Sequence, residues 1–460
     1  MICNLLNKKI AFKFINFVKL PLFLAGGKKD SSKRSHGSFS RKTRYAVAIV
    51  IAAMVLISFF VAISSSISQL QRCLGIDYVP LAPQNGGSGL VVSGQPVNSS
   101  VWLGIAANAW AYFQPGIGVD AKTGLPYASG TNFEAFTAWD LGVYIQAILD
   151  AQRLGVVSEG GSWSSSVRLE KVMSFLENRP LNPKTGFPYW YYDATNGQDY
   201  HAMSDKATGV VDGADTGRLF VALNNLRNYN SSFTPEIDNI VYNQSDYASL
   251  LSGVEKDAAS NNVYSYYIDS GFASFWPEVS GVPNEVMNNL GETQNVTTYG
   301  VSLPNTALTS EPLLCAIFEL NNSNTELSSL THQVYLAHKA YYAATGKHVA
   351  FSEGNSLTSQ YLYEWIVAPN GETWKITNTA NSYVNVNPII YTKVTYSFLA
   401  LYNSTFAQNL VVYLQSMLPN PTANGYCDGA NSSGQIIPGT GCNTNGLILD
   451  AALYALHNNS

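Results

Sequence analysis

Four carboxylates stand beside aromatic or glycine-rich segments, each at or near the start of an apolar run. They are Asp140, Asp215, Glu311 and Glu353. Glycoside hydrolysis uses two such groups, one protonated to give the leaving oxygen its proton and one ionised to activate water or attack the anomeric carbon. Each acid could instead cap a helix, which stabilises a helix start by ~0.5–2 kcal/mol. Asp215 could also pair with Arg218, three residues along the chain.

Aromatic side chains accompany these acids, and sugar rings bind to proteins by stacking on flat aromatic faces. The candidate sugar-stacking residues are Trp139, Trp190, Tyr191, Tyr192, Trp365, Trp374 and Tyr426. The densest run is residues 187–192, FPYWYY. The alternative for every one of them is packing between helices, because aromatic side chains bury much area.

Several other chemistries lack their sequence patterns. The chain contains no HExxH, no GxSxG, no GxxxxGK[ST] and no GxGxxG after a strand. The six histidines are scattered and there is no CxxC pair, so we expect neither a metal site nor a cofactor.

Charge is scarce and unevenly distributed. Only 12% of the 460 residues are charged, against about a quarter in an average soluble domain. Residues 1–44 carry 11 Lys/Arg and one acid, whereas residues 45–460 carry 15 Lys/Arg and 30 acids. The acidic body argues against nucleic-acid binding, because no basic face is available to neutralise phosphates.

The segment Tyr45 to Ile63 contains 19 residues without a charge, nearly the ~20 that a helix needs to cross a bilayer. Arg41, Lys42 and Arg44 flank it, and cationic flanks stay in the cytoplasm. We therefore predict a cytoplasmic tail over 1–44, a retained signal anchor over 45–63, a flexible stalk over 64–101 and an extracellular body over 102–460. A processed leader and a buried core helix are the alternatives.

Eight Asn-x-Ser/Thr sequons follow this apolar segment, as expected for N-glycosylation outside the cell. They begin at Asn98, Asn230, Asn243, Asn295, Asn321, Asn403, Asn431 and Asn458. Each could also be a plain surface loop, since a chain rich in Asn, Ser and Thr contains sequons by chance.

The cysteines are compatible with an oxidising compartment. Cys427 and Cys442 flank a Gly/Ser/Asn-rich loop, and we expect them to form a disulfide. Cys315 lies in an apolar run and is expected to be a buried thiol.

The elements that must position these residues are mostly helical by pattern. Leucine and isoleucine follow helical spacing after Asp140 and after Asp215. Further helices are predicted at 102–113, 163–178, 235–251, 311–320, 329–344, 356–367, 393–402, 404–418 and 444–457. Long loops at 114–133, 180–212, 259–310, 368–392 and 419–443 separate them. Loops of that length are usually functional, so we expect helical hairpins that close into a ring with the loops at one end.

Six motifs in order resemble the domain-of-unknown-function 3131 family, whose members are described as glucoamylase-like glycoside hydrolases. The segments are AWAYF at 109–113 with TGLP at 123–126, TAWDLG at 137–142, YY and TNG at 191–197, ADTGRL at 214–219, SEP at 310–312 with TGK at 345–347 and SEG at 352–354, and NTNGLIL at 443–449. The resemblance covers 102–457. It implies an all-α (α/α)6 toroid with a cleft at one end and a carbohydrate ligand.

On this basis Glu311 and Asp140 are our expected acid/base pair, and Asp215 and Glu353 are supporting cleft carboxylates. Arg218 and Asn445 would orient sugar hydroxyls. The loop 259–310 departs from the family pattern, so a catalytic acid could also be Glu278, Glu285 or Glu292.

Two other functions stay open from the sequence. A glycan-binding or surface-layer scaffold could keep the toroid without catalysis. A polysaccharide lyase would use Tyr, His or Arg in place of paired acids, and His201 beside Tyr200 is its candidate.

Overall fold

A computed structural model describes residues 88–130, 133–200, 212–320, 324–358, 360–418 and 424–458. Thirteen α-helices and ten strands are assigned within these ranges. The helices are α1 Ser99–Trp110, α2 Ala138–Arg153, α3 Ser165–Asn178, α4 Gly213–Tyr229, α5 Thr234–Tyr242, α6 Leu251–Asp257, α7 Val263–Ala273, α8 Val282–Glu292, α9 Glu311–Glu319, α10 Thr325–Thr345, α11 Thr392–Tyr402, α12 Thr405–Met417 and α13 Cys442–Asn458. The strands are β1 Ala135–Phe136, β2 Tyr192–Asp193, β3 Asn295–Thr298, β4 Val301–Pro304, β5 Glu353–Asn355, β6 Tyr361–Val367, β7 Thr373–Asn378, β8 Ile389–Tyr391, β9 Cys427–Asn431 and β10 Ile436–Thr440.

Six helices form an inner ring in which each packs against the next. The order of neighbours is α2, α4, α7, α9, α11, α13 and back to α2. Six more helices, α1, α3, α5, α8, α10 and α12, alternate with them along the chain and pack on their outer side. This alternation is the predicted ring of six helical hairpins, and α6 is an addition to it.

Inner helix α2 is buried on nearly all sides, as expected for a helix surrounded by other helices. In α2, twelve residues are buried, from Asp140 to Ala151. The crossing of α4 and α7 is especially close, because a Cβ on Gly271 would come within 2.0 Å of the Gly217 carbonyl oxygen. Glycine at both positions therefore sets the spacing of this helix pair.

The all-α class is wrong in one respect, because small antiparallel sheets are built into the loops. The strand orders are β1-β2, β3-β4, β5-β6-β7 and β10-β9-β8. The segment 356–367, predicted as a helix, contains strand β6 instead. Its alternation of half-buried and buried residues, Tyr361 to Glu364, matches a strand, and the aromatic and β-branched residues favour that state.

Two other predicted segments are divided differently in the structure. The predicted helix at 235–251 ends at Tyr242, and a 3-10 turn at Tyr247–Leu250 leads into α6. The predicted loop 259–310 contains α7, α8 and the β3-β4 hairpin. Sequence periodicity missed α7 because six of its eleven residues are Tyr, Ser or Asp rather than aliphatic residues.

The predicted tail (1–44), anchor (45–63) and most of the stalk (64–101) lie outside the described residues. Among the helices that are described, none combines the length and hydropathy needed to cross a bilayer.

The predicted disulfide is wrong, because Cys427 and Cys442 are both free thiols. Cys427 lies on strand β9 opposite Thr440, whereas the Cys442 Sγ lies 3.5 Å from the Asp140 carbonyl oxygen. Cys315 is buried, as predicted.

The sequons differ in exposure. Five of the asparagines are exposed: Asn98, Asn230, Asn243, Asn295 and Asn403. Asn431 is buried, and its Nδ2 donates to Gln435 Oε1 at 2.9 Å. It is therefore not available for glycosylation in the folded chain, and the prediction for Asn431 is corrected. Asn321 and the side chain of Asn458 lie outside the described residues.

Candidate functional site

The first turns of the six inner helices supply most of the polar groups of the site. Because an outer helix returns the chain after each inner one, the inner helices run in one direction and begin at the same end of the ring. The first-turn residues are Asp140, Asp215, Tyr264, Glu311, Lys393 and Asn443. Contacts among these residues come from helices far apart in the sequence.

Glu311 is fully buried and bound by three donors. The Lys393 ammonium and the Asn443 amide contact its two carboxylate oxygens, and the Ser352 hydroxyl donates to Oε2 at 2.9 Å. Burial opposes ionisation, but the Lys393 charge and these hydrogen bonds outweigh it and lower the Glu311 pKa. Glu311 is therefore an ionised group at the base of the site.

Glu353, the first residue of β5, is also buried and lies beside Glu311. The Tyr264 hydroxyl donates to its Oε2 at 2.8 Å. Burial, reinforced by the negative charge of Glu311, raises the Glu353 pKa to about 7. Glu353 pairs with Tyr363 across β5 and β6, so their side chains lie on the same face of this sheet. Glu353 therefore keeps a proton that Glu311 has lost.

A second group of acidic residues lies at the starts of α2 and α4. Asp140 closes a capping box, in which its Oδ2 accepts the Thr137 N–H at 3.0 Å. Burial raises the Asp140 pKa to about 6. Asp212 caps α4 by accepting the Ala214 N–H at 2.8 Å. Asp215 is half-buried, and burial, with the charges of Asp212 and Asp140, raises its pKa well above the usual range.

Tyr363 links the two groups of acids. Burial raises its pKa to about 12, and the charges of Glu353, Asp212, Asp215 and Glu311 add to that effect. The charges of both groups of acids therefore act on the Tyr363 phenol. Burial raises the pKa of Tyr191 as well, and the charges of Asp140, Asp215 and Asp212 add to that effect.

Sequence reasoning missed several residues of the site. Tyr264 and Lys393 each contact a candidate acid, and so does Asn443. Asp428 on β9 lies near Glu311, and burial raises its pKa to about 6. Their position in the chain could have indicated them. Tyr264, Lys393 and Asn443 are each the second residue of an inner helix, and the predicted acids on inner helices are likewise the first or third residue.

Arg218 and Asn445 do not orient sugar hydroxyls in this structure, because both are buried in the core. The Arg218 guanidinium pairs with Glu319 at 2.5 Å and lies 4.6 Å from the centroid of the Trp139 ring. Asn445 accepts the Tyr426 N–H at 2.8 Å and donates to the Gly441 carbonyl at 3.0 Å. Both predictions are corrected to structural roles.

The aromatic residues divide into two groups. Trp190 and Tyr191 are half-buried, with ring centroids 5.0 Å apart, and the Trp190 indole hydrogen-bonds to Asp215. Trp139 packs between Arg218 and Tyr267. The rest are core or inter-strand residues rather than stacking platforms. They are Tyr192, whose hydroxyl donates to the Pro180 carbonyl, Trp365 and Trp374, whose indoles donate to Thr377 and Thr298, and Tyr426, which packs on Tyr396.

Three alternative acids were predicted in the 259–310 region, namely Glu278, Glu285 and Glu292. All three are exposed on or beside α8 and do not belong to the two groups of acidic residues described above. His201, the lyase candidate, lies outside the described residues. Within the described ranges, no three His, Cys, Asp or Glu side chains are grouped as a metal site would require.

Comparisons with known proteins agree with this architecture. A family model described as "Protein of unknown function (DUF3131)" matches residues 104–458. No curated protein matches the sequence. A glucoamylase-like protein from Bacteroides caccae has a similar structure, with a TM-score of 0.58, 15% identity and coverage of 78% of this chain and 94% of that one.

Two endo-β-1,2-glucanases are also similar in structure. The enzyme from Chitinophaga pinensis, in complex with sophorotriose and glucose, has a TM-score of 0.57 at 13% identity and covers 78% of this chain and 92% of its own. The enzyme from Talaromyces funiculosus, in complex with sophorose, has a TM-score of 0.53 at 10% identity and covers 76% and 83%. At these identities the likeness is one of fold.

Proposed function

The chain belongs to the family of proteins of unknown function DUF3131, and we propose that it is a glycoside hydrolase-like enzyme that cleaves a poly- or oligosaccharide by two-carboxylate chemistry. The observation that carries the proposal is that acidic side chains are placed at the end of the ring where the inner helices begin, with buried Glu353 on β5 and half-buried Asp215 at the start of α4. A protonated acid and an ionised acid facing one space are what glycosidic cleavage needs.

Glu353 is the proton donor in this proposal. Its pKa of about 7 keeps it protonated in mildly acidic solution, and a donor with a pKa near the working pH is the most effective. Glu311, our expected acid from the sequence, is fully buried under Lys393 and Asn443. Its charge instead raises the pKa of Glu353, which makes Glu311 a positioning residue.

The Asp212–Asp215 pair supplies the ionised group. Burial and the charge of Asp212 raise the Asp215 pKa well above its usual range. In the proposed reaction the ionised carboxylate at the start of α4 activates water or attacks the anomeric carbon, while Glu353 gives its proton to the leaving oxygen. Trp190 and Tyr191 flank Asp215 and offer faces on which a sugar could stack.

The test compares Glu353→Gln and Asp215→Asn with wild type on β-1,2-glucan, sophorose and a panel of α-glucans. We start with β-1,2-glucan because two similar structures are endo-β-1,2-glucanases. Loss of the donor should lower kcat by about 10²- to 10⁴-fold. Glu372→Gln, on an exposed glutamate, is the matched control and should be unchanged.

Activity should also fall as the pH rises through about 7, because Glu353 then loses its proton. Full turnover by both site variants would refute the carboxylate assignment. Binding of glycans without any cleavage by wild type would refute catalysis and favour the glycan-binding alternative.

We also propose that the protein is anchored in the cell membrane, with its N-terminus inside and the body outside. The charge-free segment 45–63, with its cationic N-terminal flank, supports this orientation. Exposure of five sequon asparagines is compatible with an exterior body. Mass spectrometry of the mature N-terminus tests the anchor, and a chain that starts near Tyr45 would overturn it.

A further inference from the structure

His338 lies on outer helix α10 and is fully buried, with both ring nitrogens bonded. Its Nδ1 lies 2.8 Å from the Val334 carbonyl oxygen, and its Nε2 lies 3.0 Å from the Phe351 backbone nitrogen. A carbonyl can only accept and a backbone N–H can only donate. The imidazole is therefore neutral, with its proton on Nδ1 and a free lone pair on Nε2 for Phe351.

The surroundings of His338 keep it neutral. Its ring packs against Phe398, Trp374 and Phe351, with centroids 5.1, 5.4 and 6.4 Å away. Burial among these rings lowers the His338 pKa to about 4. The acceptor for the Phe351 N–H is thus retained at any pH at which the proposed donor works.

Phe351 begins the short segment that carries the proposed proton donor. The next residue, Ser352, donates its hydroxyl to Glu311 at 2.9 Å, and its carbonyl accepts the Glu364 N–H at 2.8 Å. The residue after that is Glu353. This segment is held by strand β6 on one side and by the His338 imidazole at its start. Without the imidazole, the Phe351 N–H would be a buried donor with no acceptor, which is unfavourable and favours a shift of the backbone.

We propose that His338 is a positioning residue of the site, whose neutral imidazole holds the Phe351 N–H so that Ser352 and Glu353 keep their orientation toward Glu311 and the substrate. The inference rests on the proposed role of Glu353. It differs from ordinary core packing, because it depends on a hydrogen-bond acceptor at Nε2 rather than on the volume of the ring.

Two substitutions separate these roles. His338→Gln can present its amide oxygen to the Phe351 N–H, whereas His338→Met fills a similar volume without an acceptor of comparable strength. His348→Met is the control, because the His348 ring lies between Tyr342 and Tyr413, at centroid distances of 4.2 and 4.4 Å. All three are made in the full-length chain, and kcat and KM are measured on β-1,2-glucan.

We expect His338→Met to lower kcat at least tenfold with less than a threefold change in KM, and His338→Gln to recover kcat to within threefold of wild type. Equal kcat in the wild type and the Met variant would overturn the proposal. Equal losses of kcat in the Gln and Met variants would also overturn it, because the hydrogen-bond acceptor at position 338 would then make no difference to kcat.

A second readout is independent of activity. Carbon-13 NMR of labelled glutamate, assigned with Glu353→Gln, follows the titration of Glu353. Its midpoint should move in His338→Met and stay within 0.3 units (roughly a twofold change in equilibrium constant) in His338→Gln and His348→Met. If the wild type cleaves no glycan but the midpoint moves in this way, the proposed function fails while the positioning role stands. An unmoved midpoint in His338→Met overturns the role of His338.

Discussion

Asp269 offers a direct test of how buried acids control the stability of this fold. It lies on inner helix α7, is 1% exposed, and its Oδ2 has no hydrogen-bond partner. Burial, with the nearby charge of Asp257, raises its pKa to about 8. The folded chain therefore holds a proton on Asp269 that the unfolded chain loses at a pKa of about 3.9.

The direction of the effect follows from this difference. Since the native state binds more protons than the unfolded state between these two pKa values, the free energy of unfolding falls as the pH rises. The contribution is fully present below pH ~4 and is lost progressively toward pH ~8. Each pH unit in this range lowers the free energy of unfolding by about 1.4 kcal/mol, so Asp269 should lower it by about 4 kcal/mol between pH 4 and pH 7.

Asp269→Asn replaces the protonated acid by a neutral amide of the same shape. Its buried NH₂ group should cost about 1–2 kcal/mol at every pH. At pH 4 the variant should thus be slightly less stable than wild type, and at pH 7 it should be more stable by about 2–3 kcal/mol. The measurement is urea unfolding followed by tryptophan fluorescence at pH 4, 5.5 and 7.

Asp246→Asn, on an exposed aspartate, is the matched control and should leave the pH profile unchanged. Parallel unfolding profiles of Asp269→Asn and wild type would refute the reasoning, because they would mean that Asp269 is solvated or paired in the native state.

Two further substitutions probe the ring of inner helices. Lys393→Met leaves the buried Glu311 carboxylate without its counter-ion, and removing one partner of a buried pair should cost about 3–5 kcal/mol of stability. Adding Glu311→Gln should recover most of that loss, as measured by urea midpoints. A double variant as unstable as Lys393→Met would contradict the pairing. Gly271→Ala pushes a methyl group against the Gly217 carbonyl and should cost about 1–3 kcal/mol or more. Gly253→Ala, in helix α6 with open space around its Cβ position, should instead stabilise by about 0.5–1 kcal/mol, so similar melting temperatures for the two alanine variants would show that the close crossing is absent.

Local pattern determined the helical hairpins and the polar residues at their starts. Asp140, Asp215 and Glu311 lie in the first turns of inner helices, as the sequence predicts. This succeeds because helix periodicity and first-turn acids are signals within a few residues of one another. It failed for strand β6, because a short apolar, aromatic run fits a strand or a buried helix equally well by periodicity.

The protonation of each acid was decided only by the tertiary structure. Glu311 is ionised because Lys393, 82 residues away, reaches it. Glu353 keeps its proton because it is buried and because Glu311 is ionised beside it. The sequence could not show that Arg218 has a structural rather than a substrate-binding role, since its partner Glu319 is 101 residues away. Charge interactions act through space, and the folding of six hairpins into a ring sets those distances, so the residue types follow from the sequence but their chemical roles follow from the fold.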